Sequence, residues 1–132
     1  MNVVPPQRDL FAELLIELES SANHHFALAQ LNDLLFACPP IAFQETLQLT
    51  TSTTHLLNQL SPLLQNYVAA MVEHAATQKD VAPPAWVRDI PPLDTPHFAG
   101  GLRSLRQYLL AVSPVAFKRR NLFVDASICG RV

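Results

Sequence analysis

Charge is scarce in this 132-residue chain: Asp, Glu, Lys and Arg make up 15% of it, where ~25% is ordinary. Hydrophobic residues reach 49% and the mean hydropathy is +0.16, so Gln, Asn, Ser, Thr and His must solvate most of the outside. Either the surface is polar but neutral, or an apolar patch on it is covered by another subunit. Glycine is rarer still, with three in all, and Gly100-Gly101 is too small a cluster to cradle a phosphate. Cys38 and Cys129 stand alone, without Cys-x-x-Cys spacing, which argues against a disulfide framework. Both are expected to be reduced thiols, Cys38 as a packed small hydrophobe. No apolar run approaches the ~20 residues of a membrane helix. The start, Met1 to Arg8, lacks the basic-then-apolar layout of a signal peptide, so the expectation is a cytoplasmic protein.

Catalytic and metal-binding patterns are equally thin. His24 and His25 are adjacent and would point about 100° apart on a helix. His55, His74 and His97 are dispersed, with no His-x-x-x-His or Glu-x-x-His spacing, so neither a metal nor a cofactor is expected. There is no Gly-x-Ser-x-Gly and no local hallmark of an activated thiolate. Asp89 and Asp94 flank a proline pair; with His97 they would make a site only by converging in a cleft that shifts their acidity. Caps and turns explain them more cheaply, and a non-catalytic chain is the expectation.

What is abundant is leucine at helical spacing. Leu10, Phe11, Leu14, Leu15 and Leu18 form one stripe on a helix expected over 7–20. A second helix, over 24–37, has Asn23 as its expected cap and Phe26, Leu28, Leu31, Leu34 and Leu35 inward. Residues 41–49 are helical in pattern, interrupted by Thr50–Thr54, whose hydroxyls favour a turn; the helix is expected to resume over 54–60. Ser61-Pro62 reads as a cap followed by a first-turn proline. Leu63, Leu64, Tyr67, Val68, Met71, Val72 and Ala75 then give the strongest stripe of the chain, over 62–78.

Proline takes over after Lys79. Pro83, Pro84, Pro91, Pro92 and Pro96 exclude a continuous helix over 79–98, yet Trp86, Val87, Ile90, Leu93 and Phe98 are too apolar for a disordered linker. An ordered, extended strap is expected, with Trp86 and Phe98 as structural anchors. Gly100-Gly101 closes it. A helix over 102–112 should place Leu102, Leu105, Leu109 and Leu110 inward and Arg103, Arg106 and Gln107 outward. Ser113-Pro114 again resembles a cap, opening a short turn to Arg120, and residues 121–125 form an extended tail.

The charges that exist are sorted by end. Residues 101–132 carry six Lys and Arg against Asp125 alone, net +5; residues 1–100 carry Arg8, Lys79 and Arg88 against ten acids, net −7. Arg103, Arg106, Phe117, Lys118, Arg119, Arg120 and Phe123 are therefore the candidate contact residues, for a protein partner or for nucleic acid. Lys118–Arg120 with the flanking Phe117 and Phe123 suits phosphate contact plus base stacking, but three charges are few and the acidic remainder repels a phosphate backbone. The same arginines can instead pair with Glu13, Glu17 or Glu19 or with another subunit, and Arg120 beside Asn121 is equipped to tie down backbone carbonyls.

Pro84-Ala-Trp86, Pro92 to Phe98, Leu102-Arg-Ser-Leu-Arg106 and Ser113 to Asp125 together resemble a family of small bacterial proteins. Its members carry a tryptophan, a proline-rich strap and a Ser-Pro, Phe, Arg-Arg-Asn, Phe ending. The resemblance covers roughly residues 84–125 and implies an accessory or neutralising, antitoxin-like subunit beside a toxin-like or nucleotidyltransferase-type protein. It carries no catalytic residues over. The Thr50–Thr54 break offers neither the glycine turn nor the basic second helix of a DNA-reading helix-turn-helix. The reading that results is an all-α single domain: a compact bundle of four to six helices, a proline-rich extended strap and a short extended tail. Its expected role is protein–protein interaction, with a protein partner or a second copy, by occlusion through the strap or the Phe117–Phe123 tail. A nucleic-acid-binding regulator is the alternative.

Overall fold

The structure, a computed structural model, describes residues 7–20, 24–99 and 103–125, and in them the chain is mostly helical. The first helices are α1 (Gln7–Ser20), α2 (His24–Ala37), α3 (Phe43–Thr46), α4 (Thr51–Gln59) and α5 (Pro62–Lys79). After them come α6 (Trp86–Asp89), β1 (His97–Phe98), α7 (Arg106–Val112), α8 (Val115–Lys118) and β2 (Leu122–Phe123). Short 3-10 turns at Pro40–Ala42 and Arg103–Leu105 lead into α3 and α7. The mostly all-α expectation matches; the division into short helices is finer than the sequence pattern suggested.

Leucine stripes build the core. Phe11, Leu14, Leu15 and Leu18 of α1 are buried against α2, α3 and α4, and α5 runs through the middle with Val68, Ala69, Ala70 and Val72 sealed from solvent. Small residues at successive turns of α5 let neighbouring elements approach on more than one side. Asn23, the expected cap of α2, lies outside the described residues, as do Leu102 and Cys129. Phe26, expected inward, stands on the exposed side of α2: it precedes the stripe of Ala27, Leu31, Leu34 and Leu35 that faces α1 and α5. Cys38 is a packed small hydrophobe, as read from the sequence, and is a free thiol.

The threonine run does not delay α4. Thr50 is extended (φ −87°, ψ 177°) and caps the helix, its Oγ1 accepting from Thr53 N at 3.2 Å while Thr53 Oγ1 accepts from Thr50 N at 2.6 Å. The hydroxyls that disfavour a helix interior are what start one here, so α4 begins at Thr51 rather than Thr54. Ser61 caps α5 as expected, accepting from Leu64 N at 3.3 Å. At the other end Asp80 takes the left-handed conformation (φ 57°) and its N–H bonds back to Ala76 and Thr77 carbonyls.

The second half differs from its expectation in three places. The strap is not extended throughout, because Trp86–Asp89 coils into one helical turn, α6. On α7 only Leu109 is buried, whereas Leu105 and Leu110, expected inward, are exposed. Seven residues give α7 room for one buried contact, against the C-terminal tail. Finally, Ser113 does not cap α8. Its buried hydroxyl donates back to Leu109 O and accepts from Val124 N at 2.8 Å, which pins the tail to the end of α7. The tail then pairs as β2 in parallel with β1, His97 beside Leu122 and Phe98 beside Phe123.

Candidate functional site

The basic end of the sequence divides into a buried clamp and an exposed face. Arg120 is the centre of the clamp, with 7% of its surface exposed. One guanidinium nitrogen donates to Ile90 O at 2.8 Å and to Asn66 Oδ1 at 3.1 Å; the other donates to Val87 O at 2.6 Å. Asn66, buried on α5, also donates to Pro62 O and to Pro91 O, at 2.9 and 3.1 Å. Asn121 completes the arrangement in a left-handed conformation (φ 60°), which asparagine tolerates. Its Nδ2 donates to Leu93 O at 2.7 Å, and its own carbonyl accepts from His97 N at 2.8 Å. The strap has few regular backbone partners because its prolines lack donors, so side chains from residues 120–121 satisfy its carbonyls instead.

This is a fork used for geometry rather than for charge pairing. Burial lowers the Arg120 pKa from its ordinary value, with the Glu73 carboxylate opposing that shift. The pair of residues expected to tie down carbonyls does so, and Arg120 is accordingly not available as a contact residue on the monomer's surface. Phe117 is withdrawn for a related reason. It is wholly buried, with the rings of Tyr67 and His74 set edge-on to it at 6.5 and 6.4 Å. The same apolar surroundings raise the Tyr67 pKa and lower that of His74.

Trp86 and Phe98 occupy anchoring positions. Trp86 stacks on Phe11 with ring centroids 6.1 Å apart and donates Nε1–H to Leu47 O at 2.8 Å, joining strap, α1 and the end of α3. Phe98 stacks on Phe123 at 4.9 Å, and the Arg106 guanidinium lies over the Phe98 ring at 5.0 Å. Three of the candidate residues thus meet in one half-exposed stack, Arg106 on Phe98 on Phe123. Arg119 is 68% exposed at its side chain and pairs with Glu73 at 2.8 Å, not with the α1 carboxylates. Lys118 reaches back to Ala111 O at 3.4 Å. Arg103 opens the 3-10 turn before α7, and its side chain lies outside the described residues.

Sequence reasoning missed the residues that carry the exposed apolar surface. Ile41 is 96% exposed and Phe36 72%, on either side of the Pro39-Pro40 corner that ends α2. Ile16, Tyr108, Leu110 and Val115 are exposed as well. The available signals were the break in periodicity at the proline pair, beyond which Ile41 no longer shares the face of the α2 stripe, and the position of Phe36 off that stripe on α2.

For chemistry, the described residues offer little convergence. A groove of about 880 Å³ beside Trp86 is lined by Glu45, Asp89 and the amides of Gln44, Gln48, Asn58 and Gln65. Asp89 reaches it, while Asp94 and His97 are not part of its wall. Among the described residues no three His, Cys, Asp or Glu are grouped to hold a metal ion, and no single helix is long and apolar enough to cross a membrane. Comparison with protein-family models, with curated proteins and with solved structures finds no match to this chain.

Proposed function

We propose that this chain is a non-catalytic protein–protein interaction subunit, an accessory or neutralising partner of another protein or of its own kind. The observation that carries this reading is the exposure of large apolar side chains on a chain with so little charge. Scattered apolar residues on a surface are ordinary, but a phenylalanine 72% exposed and an isoleucine 96% exposed, on either side of the Pro39-Pro40 corner, are costly to keep wet. At ~25 cal/mol per Å², covering such side chains supplies part of an interface's favourable free energy.

The route of interaction changes from the one the sequence suggested. Occlusion by a free strap or by a Phe117–Phe123 arm would require Arg120 and Phe117 to leave buried positions. The α2 corner and the α7 end are surfaces already presented. A nucleic-acid regulator loses support on the same ground, since Arg120 is spent inside and Arg119 is neutralised by Glu73.

The test is affinity purification of the tagged chain at mild salt, with and without nuclease, alongside Phe36→Ser and Ile41→Ser variants whose melting is unchanged. A stoichiometric protein that survives nuclease and is lost from the variants supports the reading. Nucleic acid that co-purifies, and is released by salt or by neutralising Lys118 and Arg119, would replace it with the regulator.

A further inference from the structure

Two surfaces of this chain complement each other while lying on different parts of the fold. The first is a groove of about 720 Å³ between α1 and α2. Leu10, Leu14, Ile16 and Leu34 give it an apolar wall, and Glu13 and Glu17 stand exposed at its rim. Among the described residues lining it there is no Lys or Arg. The second is the α7 end, where Leu105, Tyr108 and Leu110 are exposed beside Arg106. α7 packs on β2, whereas α1 packs on α2, α3 and α4.

Among the described basic residues around α7, Arg106 is the one set over an aromatic ring, while Lys118 reaches Ala111 O. Arg120 is buried in the clamp, and Arg119 already holds Glu73. The Arg106 guanidinium lies over the Phe98 ring at 5.0 Å, and Phe98 itself rests on Phe123. A cation–π contact uses none of the guanidinium's N–H hydrogen bonds, and a carboxylate is the group those donors recognise best. The stack also fixes the side chain in advance, reducing the entropy lost when a partner arrives.

We propose that the α1–α2 groove receives the α7 end of a second copy of this chain, with Arg106 set against Glu13 and Glu17. The proposal rests on the interaction-subunit reading and deepens it by naming the partner. Because groove and α7 end are different patches, the contact is heterologous: each added copy presents a fresh groove and a fresh α7, so assembly closes as a ring or continues as a chain. A helix of two turns covers only part of the roughly 1,200–2,000 Å² of a standard stable interface. Association is therefore expected in the micromolar range and is weakened by salt.

Sedimentation velocity of the full chain, from micromolar to submillimolar concentration at low and high salt, provides the test. The expected result is a sedimentation coefficient that climbs with concentration at low salt and falls back in high salt. Glu13→Lys with Glu17→Lys in one variant, and Arg106→Glu in another, should each weaken self-association by about tenfold or more. These side chains are exposed, and matched melting curves verify that both variants are folded. Mixing them is the decisive arm: the intact α7 of the first meets the intact groove of the second, and the two reversed faces complement each other in turn, so the mixture regains an association that neither variant shows alone. A chain that stays monomeric throughout overturns the proposal, and so does a two-fold dimer indifferent to both variants or a mixture of folded variants that forms no complex. If the monomeric chain still captures a foreign protein through Phe36 and Ile41, the interaction reading survives without this one.

Discussion

Residues 7–79 and 80–125 are held together by different physics. The first region is five helices whose stripes of leucine, valine and phenylalanine are buried against one another; its cohesion is mainly apolar area, with Thr50, Thr53 and Ser61 capping helix starts. The second adds Val87, Ile90, Phe117, Leu122 and Val124 to the same core, but its strap is broken by prolines and is fastened in addition by side-chain hydrogen bonds: Arg120, Asn121 and Trp86 each tie a distant carbonyl, and Ser113 Oγ accepts from Val124 N. Burial of area is additive and forgiving, whereas a directional bond leaves an orphaned polar group when its partner is removed. The two regions should therefore fail differently under mutation.

The largest effect should come from Arg120→Ala, which orphans Val87 O, Ile90 O and Asn66 Oδ1 together and costs about 3 kcal/mol or more in urea unfolding. Arg120→Lys should recover only part of this, because an ammonium keeps the charge but not the planar fork. If Arg120→Ala unfolds no more easily than an exposed substitution, the clamp is not what secures the strap. Trp86→Phe sharpens the comparison by retaining the ring while deleting the bond to Leu47 O, with an expected loss of about 1 kcal/mol. Arg119→Ala, which removes an ion pair with an exposed arginine, should change stability by no more than ~1 kcal/mol, and less in high salt.

The smallest signature is a pH slope. His74 has a folded pKa below its ordinary value because it is partly buried beside Phe117. As pH falls below ~6.5 the unfolded chain takes up that proton before the folded one, so stability is full above this pH and is lost as pH falls through the folded pKa. His74→Gln should flatten that part of the stability–pH curve, measured by urea midpoints across the acidic range.

The helices of the first region were legible because their cause is local. A stripe at Leu10, Leu14 and Leu18, or a Ser61-Pro62 start, needs no knowledge of the partner element to be read. Where local reasoning failed, the deciding contact was non-local. Leu105 and Leu110 have the spacing of inward residues, but α7 packs on the tail through Leu109, and the other two leucines stay exposed. Ser113 has the signature of a cap, yet the N–H of Val124, eleven residues away, donates to its buried hydroxyl instead. Of the candidate contact residues, Arg106 and Phe123 emerged together in a surface stack with Phe98, while Phe117 and Arg120 were drawn into the interior. Nothing in the Lys118-Arg119-Arg120 run distinguishes an exposed arginine from a buried one, since that depends on what faces each.

By itself the sequence determined that this chain is mostly helical, where α1, α2 and α5 run, and that proline ends the regular packing near residue 80. Those outcomes follow from periodicity, capping and the missing donor of proline, which act over a few residues. Tertiary structure alone decided that Arg120 serves the strap, that Arg119 answers Glu73, and that Phe36 and Ile41 stand in solvent. A cation's fate, like an apolar side chain's exposure, is set by which groups the fold brings within a few ångströms of it.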